Sequence, residues 1–190
     1  MSKWSAVCAL AVVLSFTATS PAPAADDYTL DAMHAGVNFK ISHLGLSWTY
    51  GRFNDVSGSF TIDESAEKCS FNLTIKTDSV DTGNKKRDEH LRSPDFFNAK
   101  QYPTITFKST SVKAAKGGYE VTGDLTLHGK SKSVTFTLVG GRKAEFPKGV
   151  QRTGYSTELV IKRSDFGMDK MKEAIGDEVY VSISFEGTKK

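Results

Sequence analysis

The stretch YEVTGDLTLHGKSKSVTFTL, residues 119–138, decides the fold class of this 190-residue chain. Apolar and polar residues alternate from Tyr119 to Leu127 and again from Val134 to Leu138, with the turn sequence HGKSK between the two runs. Alternation with period two is typical of a β-strand with one buried face, and two such runs around a short turn predict an antiparallel hairpin. The basic unit of the fold is therefore expected to be an antiparallel sheet.

The same alternation recurs on both sides of this hairpin. After a short opening strand at Tyr28–Leu30, strands are predicted around Val37–Ile41, Gly51–Ile62, Cys69–Lys76, Thr104–Lys108, Tyr155–Lys162 and Val179–Phe185. The segments 31–34 and 44–50 break the pattern; the first predicts a turn, the second a turn or short helix with an aromatic plug. Eight strong strands with local connections favour an all-β fold, an antiparallel eight-stranded β-barrel, over a sandwich. The reason is that closure leaves no exposed strand edge.

One charged segment, NKKRDEHLRSPDFF at residues 84–97, interrupts the strand pattern. Good helix formers run from Lys85 to Arg92, and the Ser93-Pro94 step is expected to end the helix. Asp81, Thr82 or Asn84 can serve as its N-cap.

Two interpretations of this short helix are open. It is either a solvated surface helix that joins two strands, or a lid over the mouth of an apolar chamber, in which a charged cap is followed by the aromatic pair Phe96 and Phe97. A second lid-like excursion is predicted at residues 164–177, which contain Phe166 and Met168.

The first 24 residues have the features of a signal peptide: Lys3, an apolar run from Ala6 to Phe16, and the cleavage-site pattern Ala22-Pro23-Ala24. We therefore expect an exported protein whose mature part, residues 25–190, is a single domain. Without the signal peptide, 24 basic residues face 22 acidic ones. Because these charges nearly balance, we expect no nucleic-acid partner. The mature part has no second apolar run, so we expect no stable insertion into a membrane. A homodimer is left open.

Residue types that carry chemistry are present but not in recognisable arrangements. The four histidines do not have metal-ligand spacing, and the one cysteine of the mature part, Cys69, is expected to be a buried thiol. Asp88, His90 and Ser93 could form an acid–base set, but helix capping and ion pairing explain them better. We expect no catalytic residue, no metal and no cofactor.

Phenylalanines occur at inward positions of six different strands: Phe39, Phe60, Phe71, Phe107, Phe136 and Phe185. They indicate either an ordinary packed core or a tunnel lined by aromatic rings, into which a long apolar ligand would fit. Periodicity alone does not separate these alternatives.

Several motifs together resemble those of the YceI-like proteins, a family of periplasmic polyisoprenoid-binding proteins with a lipocalin-like barrel. The motifs are Asp31 with His34, VNFKISHLG at 37–45, GRF at 51–53, SVDT at 79–82, RDEHLRSPDFF at 87–97, Tyr102-Pro103, GDLTLHG at 123–129 and RSDF at 163–166. Lys130 and Ser133 depart from the family pattern, in which an apolar residue and a proline are common in this turn.

The resemblance implies a long apolar pore that holds an isoprenoid, such as a polyprenyl phosphate or quinone, or a fatty-acyl lipid. On this basis the ligand-binding candidates are Phe39, His43, Trp48, Phe53, Phe60, Phe71, Arg87, Asp88, Leu91, Arg92, Phe96, Phe97, Phe107, Leu125, Phe136, Phe166 and Met168. His43, Arg87, Asp88 and Arg92 are the candidates for the polar head group. The leading hypothesis is an exported, non-catalytic lipid carrier. Its rivals are an enzyme acting on such a lipid with Asp88 or His43 as acid or base, and a stress-related interaction module with a filled core.

Overall fold

The computed structural model describes residues 24–190 and contains ten β-strands and one α-helix. The strands are β1 (Asp26–His43), β2 (Ser47–Phe53), β3 (Val56–Ile62), β4 (Ser70–Lys76), β5 (Val80–Asp81), β6 (Thr104–Ala115), β7 (Gly118–Leu127), β8 (Lys130–Glu145), β9 (Gln151–Lys162) and β10 (Ile175–Lys189). The helix α1 spans Lys85–Arg92, and 3₁₀ helices span Ala66–Lys68, Thr77–Ser79 and Arg163–Phe166. The predicted signal peptide lies, apart from Ala24, outside the described residues.

The strands form one antiparallel sheet that closes into a barrel through pairing of β1 with β10. The beginning of β1 also pairs with β3, and its end, from Val37 to His43, pairs with β2. Because β2 and β3 follow each other along the same side of β1, and β5 has two residues, the wall contains eight strand positions. The predicted eight-stranded barrel is confirmed.

The predicted turn at residues 31–34 is an irregularity inside the continuous strand β1. The register with β10 shifts between Leu30 and Ala35. Side chains satisfy the polar groups of the displaced segment: Arg152 donates to Asp31 Oδ2 at 2.6 Å, and Asp31 Oδ1 accepts the Met33 amide at 3.0 Å. A bulge of this kind bends a strand without ending it.

The prediction for residues 44–50 is wrong, because only residues 44–46 form a turn and β2 starts at Ser47. The Leu46 amide donates to the His43 carbonyl at 3.0 Å, which closes the turn. Trp48 and Tyr50 then face the outside of the barrel, while Ser47 and Thr49 face the lumen. The predicted aromatic plug is therefore replaced by small inward residues.

At one end of the barrel, here called the closed end, aromatic rings fill the lumen. This end contains the start of β1, the end of β3 and the start of β9. Tyr28, Phe60, Phe71, Tyr155 and Phe185 are buried there, and their ring centroids lie 4.9 to 6.0 Å apart in successive contacts. The opposite end, here called the open end, carries the β1–β2 turn, α1 and the connection between β9 and β10.

The helix α1 lies at the open end with the predicted bounds, Lys85 to Arg92. Asn84 is its N-cap: its Oδ1 accepts the Arg87 amide at 3.2 Å. Ser93, whose next residue is a proline, is the C-cap. No helix within residues 24–190 is long and apolar enough to cross a membrane.

Candidate functional site

A cavity of about 810 Å³ occupies the lumen above the aromatic cluster of the closed end. This volume falls within the range of about 300–1,000 Å³ that is usual for small-molecule sites. Its walls are predominantly apolar, and its opening lies at the end that carries α1. Of the two interpretations of the inward phenylalanines, the structure therefore contains the lined chamber in its open half and the packed core in its closed half.

Glycines on neighbouring strands explain why the phenylalanine rings leave the lumen open. A side chain at Gly51 would overlap the ring of Phe39, and one at Gly123 would overlap the ring of Phe107. Each ring thus lies over a glycine in the wall instead of projecting across the barrel. Gly58 of β3 allows close approach of the Asn72 backbone.

Most of the residues predicted to bind ligand do line this cavity. They are Phe39, His43, Phe53, Phe60, Phe71, Arg87, Leu91, Phe96, Phe97, Phe107, Leu125, Phe136 and Met168. They come from seven strands, from α1 and from the segments that follow α1 and β9. The barrel brings together residues as distant in sequence as Phe39 and Met168.

Trp48 and Phe166 were predicted to bind the ligand, but neither lines the cavity. Trp48 is on the outer face of β2, with its ring 5.3 Å from the ring of Tyr180. Phe166 is fully buried beside the cavity in a 3₁₀ helix, where its carbonyl accepts a hydrogen bond from His128 at 3.1 Å. Phe166 therefore supports the segment above the barrel rather than the chamber wall.

Asp88 and Arg92 were predicted at the mouth, but both point toward the protein body. The Asp88 carboxylate accepts the amide and hydroxyl of Thr82 at 2.8 and 2.6 Å. The Arg92 guanidinium donates to the carbonyls of Asp78 and Val80 at 2.7 and 3.0 Å. These two side chains attach α1 to the chain before it, so their proposed contact with a head group is corrected.

The polar groups that do surround the mouth include His43, Asn84, Lys86, Arg87 and His90. Lys86 and His90 were not predicted there, because Asp88 and Arg92 on another side of α1 were chosen together with Arg87 and Leu91. Lys86 with His90, and Arg87 with Leu91, are spaced four residues apart and so share one face of a helix. These two pairs place three polar side chains next to the apolar Leu91, and this pattern could have identified the face of α1 that borders the cavity.

Hydrogen bonds fix the orientation of the polar groups at the mouth. The Arg87 guanidinium donates to the hydroxyl and carbonyl of Thr82 at 2.7 and 2.9 Å. His90 Nε2 lies 2.9 Å from Asp95 Oδ2, and this hydrogen bond is the main cause of a lowered pKa of the Asp95 carboxyl. Lys170, at 3.7 Å from the other carboxylate oxygen, lowers this pKa further and links the two segments that flank the opening.

A buried arginine organises the second segment at the open end. Arg163 donates to the carbonyls of Met168, Lys170, Ile175 and Gly176 at 2.6 to 2.9 Å. Burial lowers the pKa of this guanidinium, and four carbonyl partners compensate for the desolvation. The connection between β9 and β10 is thereby held in a defined shape.

Asp88, His90 and Ser93 do not form one acid–base set, because Asp88 bonds Thr82 whereas His90 and Ser93 both bond Asp95. Within residues 24–190, no three His, Cys, Asp or Glu side chains lie close enough together to hold a metal ion.

Comparison with known proteins supports the resemblance seen in the motifs. The model of the YceI-like domain matches residues 28–187. Protein YceI of Escherichia coli O17:K52:H18 is 46% identical over 181 residues, which are 92% of each chain. BcnA of Burkholderia cenocepacia has a similar structure, with a TM-score of 0.74 and 28% identity over 83% of this chain and 98% of its own. A polyisoprenoid binding domain from Saccharophagus degradans, 22% identical over 86% of this chain and 98% of its own, shares the fold with a TM-score of 0.67. The chain therefore belongs to the YceI-like domain family.

Proposed function

We propose that this protein is a non-catalytic carrier that holds one long-chain isoprenoid or fatty-acyl lipid in its barrel. The observation that supports this function is the apolar cavity of about 810 Å³ that opens through a ring of polar side chains. A chamber with that distribution of polarity suits an amphiphile whose chain lies inside and whose head group stays at the mouth.

Burial of the lipid's hydrocarbon chain supplies enough free energy for useful affinity. Each methylene moved from water into an apolar environment contributes about 0.8 kcal/mol, so about ten of them contribute roughly 8 kcal/mol. That corresponds to a micromolar dissociation constant before the costs of ordering the chain are subtracted. No specific polar contact is required for the chain itself.

Head-group selection is assigned to His43, Lys86, Arg87 and His90. Their side chains offer donors and positive charge at the opening, which suits a phosphate, a carboxylate or a quinone carbonyl. A protein with the same fold is described as polyisoprenoid-binding, so an isoprenoid is the first chain to test. The carrier holds this lipid for transport, storage or sequestration.

The test is native mass spectrometry of protein purified without detergent from lipid-replete cells, followed by solvent extraction of the bound lipid. We expect a mass increment equal to one amphiphile, and uptake of a fluorescent fatty acid or of geranylgeranyl diphosphate by stripped protein. An apo mass together with no uptake of either probe would contradict the carrier and favour an interaction module.

The rival enzymatic function has its own measurement. His43 lines the cavity, so His43→Ala is the relevant variant, whereas Asp88 does not reach it. Turnover of a bound lipid by the wild type, abolished by His43→Ala, would replace the carrier hypothesis with an enzyme.

We further propose that the protein acts in the periplasm after cleavage behind Ala24, as the pattern Ala22-Pro23-Ala24 suggests. N-terminal sequencing of periplasmic material should start at Ala25. An intact Met1, or recovery in the membrane fraction, would contradict this location.

A further inference from the structure

Exposed apolar side chains are concentrated beside the mouth of the cavity. Leu44 and Leu46, on the turn between β1 and β2, are 55% and 84% exposed. Met171, on the neighbouring connection, is also exposed and lines the cavity. The two connections touch, because the Leu44 amide donates to the Ala174 carbonyl at 2.7 Å. Together, Leu44, Leu46 and Met171 form one apolar surface, here called the rim.

The backbone makes the rim unusual. Leu44 has φ +54° and Met171 has φ +55°, a region that asparagine and glycine adopt readily and large apolar residues rarely do. Leu44 and Gly45 are the central residues of the turn that the Leu46–His43 hydrogen bond closes, and both have positive φ values, a combination for which Asn-Gly is the favoured sequence. Neither turn geometry nor solubility favours leucine at that position. Residues that break a local rule without a structural gain are candidates for function.

A second tier of side chains lies one step further down the outside of the barrel. Lys40 of β1 pairs in register with Tyr180 of β10 and Tyr50 of β2. Its Nζ lies 4.9 Å from the ring centroid of Trp48 and 5.4 Å from that of Tyr180. Tryptophan and tyrosine next to lysine are the side chains typical of the interface between lipid head groups and acyl chains.

The order of these tiers matches the layers of a lipid leaflet. Leu46 and Trp48 are two residues apart in the strand direction, which is about 7 Å. Apolar groups of interfacial proteins enter the head-group boundary by about 5–10 Å. If the rim enters a leaflet, Trp48, Tyr50 and Lys40 therefore lie at head-group level.

Positive charge flanks the other side of the mouth. Lys85 and Lys86 occupy the first turn of α1, and neither forms an ion pair with another residue in the described part of the chain. Lysines that are not neutralised nearby are attracted to anionic lipid head groups.

We infer that the open end docks on an anionic lipid bilayer, with Leu44, Leu46 and Met171 inserted in the leaflet and the cavity mouth facing the lipids. This inference rests on the proposed function, because it supplies the route by which an insoluble chain would enter the barrel without crossing water. A lipid surface fits better than a second copy of the chain. The rim is a convex tip of a few residues, whereas a stable protein interface needs about 800 Å² of complementary surface on each partner.

The test is co-sedimentation with vesicles of phosphatidylcholine alone and of an equimolar mixture with phosphatidylglycerol. We expect binding to the mixed vesicles that weakens at high salt, and at least tenfold weaker binding of Leu46→Glu. Met33→Glu is the matched control: Met33 is 88% exposed on the β1 irregularity near the closed end, so the same charge change should leave vesicle binding unaltered.

Leu44→Asn provides a second variant with opposite effects on stability and docking. Asparagine suits the turn, so the melting temperature should stay the same or rise, while vesicle binding falls several-fold. A loss of binding in a variant that is at least as stable as the wild type cannot be attributed to misfolding.

Three outcomes would overturn the inference. One is equal vesicle binding by wild type, Leu46→Glu and Leu44→Asn; another is no vesicle binding by the wild type. The third is a wild-type dimer in sedimentation velocity that Leu46→Glu converts to a monomer. That result would mean that the rim is an interface with a second copy of the chain. Uptake of the soluble fluorescent fatty acid is measured in parallel, so that normal uptake without docking rejects only this inference, and absent uptake rejects the carrier itself.

Discussion

The closed and open halves of this barrel are built from the same strands but are filled differently. In the closed half, Phe60 contacts four other rings, and the surface around it is tied by ion pairs such as Asp26 with Lys143 at 2.9 Å. In the open half, Phe39 and Phe107 lie over glycines and leave a cavity. An eight-stranded barrel is just wide enough for either result. The difference indicates that the closed half provides stability and the open half provides volume for a ligand.

The largest expected effect comes from removing a ring in the closed half. Phe60→Ala should lower the free energy of unfolding by about 3–5 kcal/mol, because truncation of a buried phenylalanine that packs against four other rings leaves a new cavity. Phe39→Ala should cost only about 1–2 kcal/mol, since its ring already borders empty space. Urea unfolding of lipid-free protein measures both. Equal costs would mean that the two halves are packed alike.

The next effect is the loss of ligand uptake when the open half is filled. Leu125 lines the cavity, so Leu125→Trp should reduce uptake of a fluorescent fatty acid by about tenfold or more, which corresponds to about 1.4 kcal/mol. Asp124→Trp, on the exposed outer face of the same strand, is the control and should bind normally. Normal uptake by a folded Leu125→Trp protein would place the chain outside this cavity.

Two arginines of α1 should separate structural attachment from ligand contact. Arg92 donates to two backbone carbonyls, so Arg92→Ala should lower stability by about 1–3 kcal/mol without changing the rate of ligand release. Arg87 lines the mouth, so Arg87→Ala should speed release several-fold, and more for a diphosphate than for a neutral head. Stopped-flow release and thermal unfolding test both variants. The reverse pattern would exchange the roles assigned to these residues.

The smallest expected effect is the response of the closed half to acid. Hydrogen bonds from Lys189 and Lys143 lower the pKa of Asp26 to about 2, and those from Arg152 and His34 lower the pKa of Asp31 to about 2. These pKa values lie below those of the same carboxyl groups in the unfolded protein, which are near 4. The stability that the two carboxylates contribute is therefore complete above about pH 4. It disappears as the pH falls through about 2.

The decline in melting temperature between these pH values should be shallower in the Asp26→Asn, Asp31→Asn double variant. Asp95→Asn at the open end is the comparison and should change the slope less, because the Asp95 side chain is 44% exposed, whereas those of Asp26 and Asp31 are 20% and 17% exposed. A larger change for Asp95→Asn would mean that the acid-sensitive contacts lie in the open half.

The elements that were predicted correctly from sequence carry local signals. The hairpin of β7 and β8 follows from alternation around a short turn, and α1 follows from its N-cap Asn84 and from the proline after Ser93. The segment 44–50 was predicted wrongly because a leucine at positive φ is a poor turn signal, so the turn and strand could not be separated.

The sequence by itself determined the barrel class, the short helix and which strand residues face inward, because each depends on the order of residues within one element. Only the tertiary structure decided that the barrel is full at one end and empty at the other. The volume depends on a ring such as Phe39 meeting Gly51 on the neighbouring strand. Likewise, Lys86 and His90 rather than Asp88 and Arg92 reach the mouth because the 78–82 segment binds the opposite side of α1. Contacts between elements set both features, and no periodicity within one element encodes them.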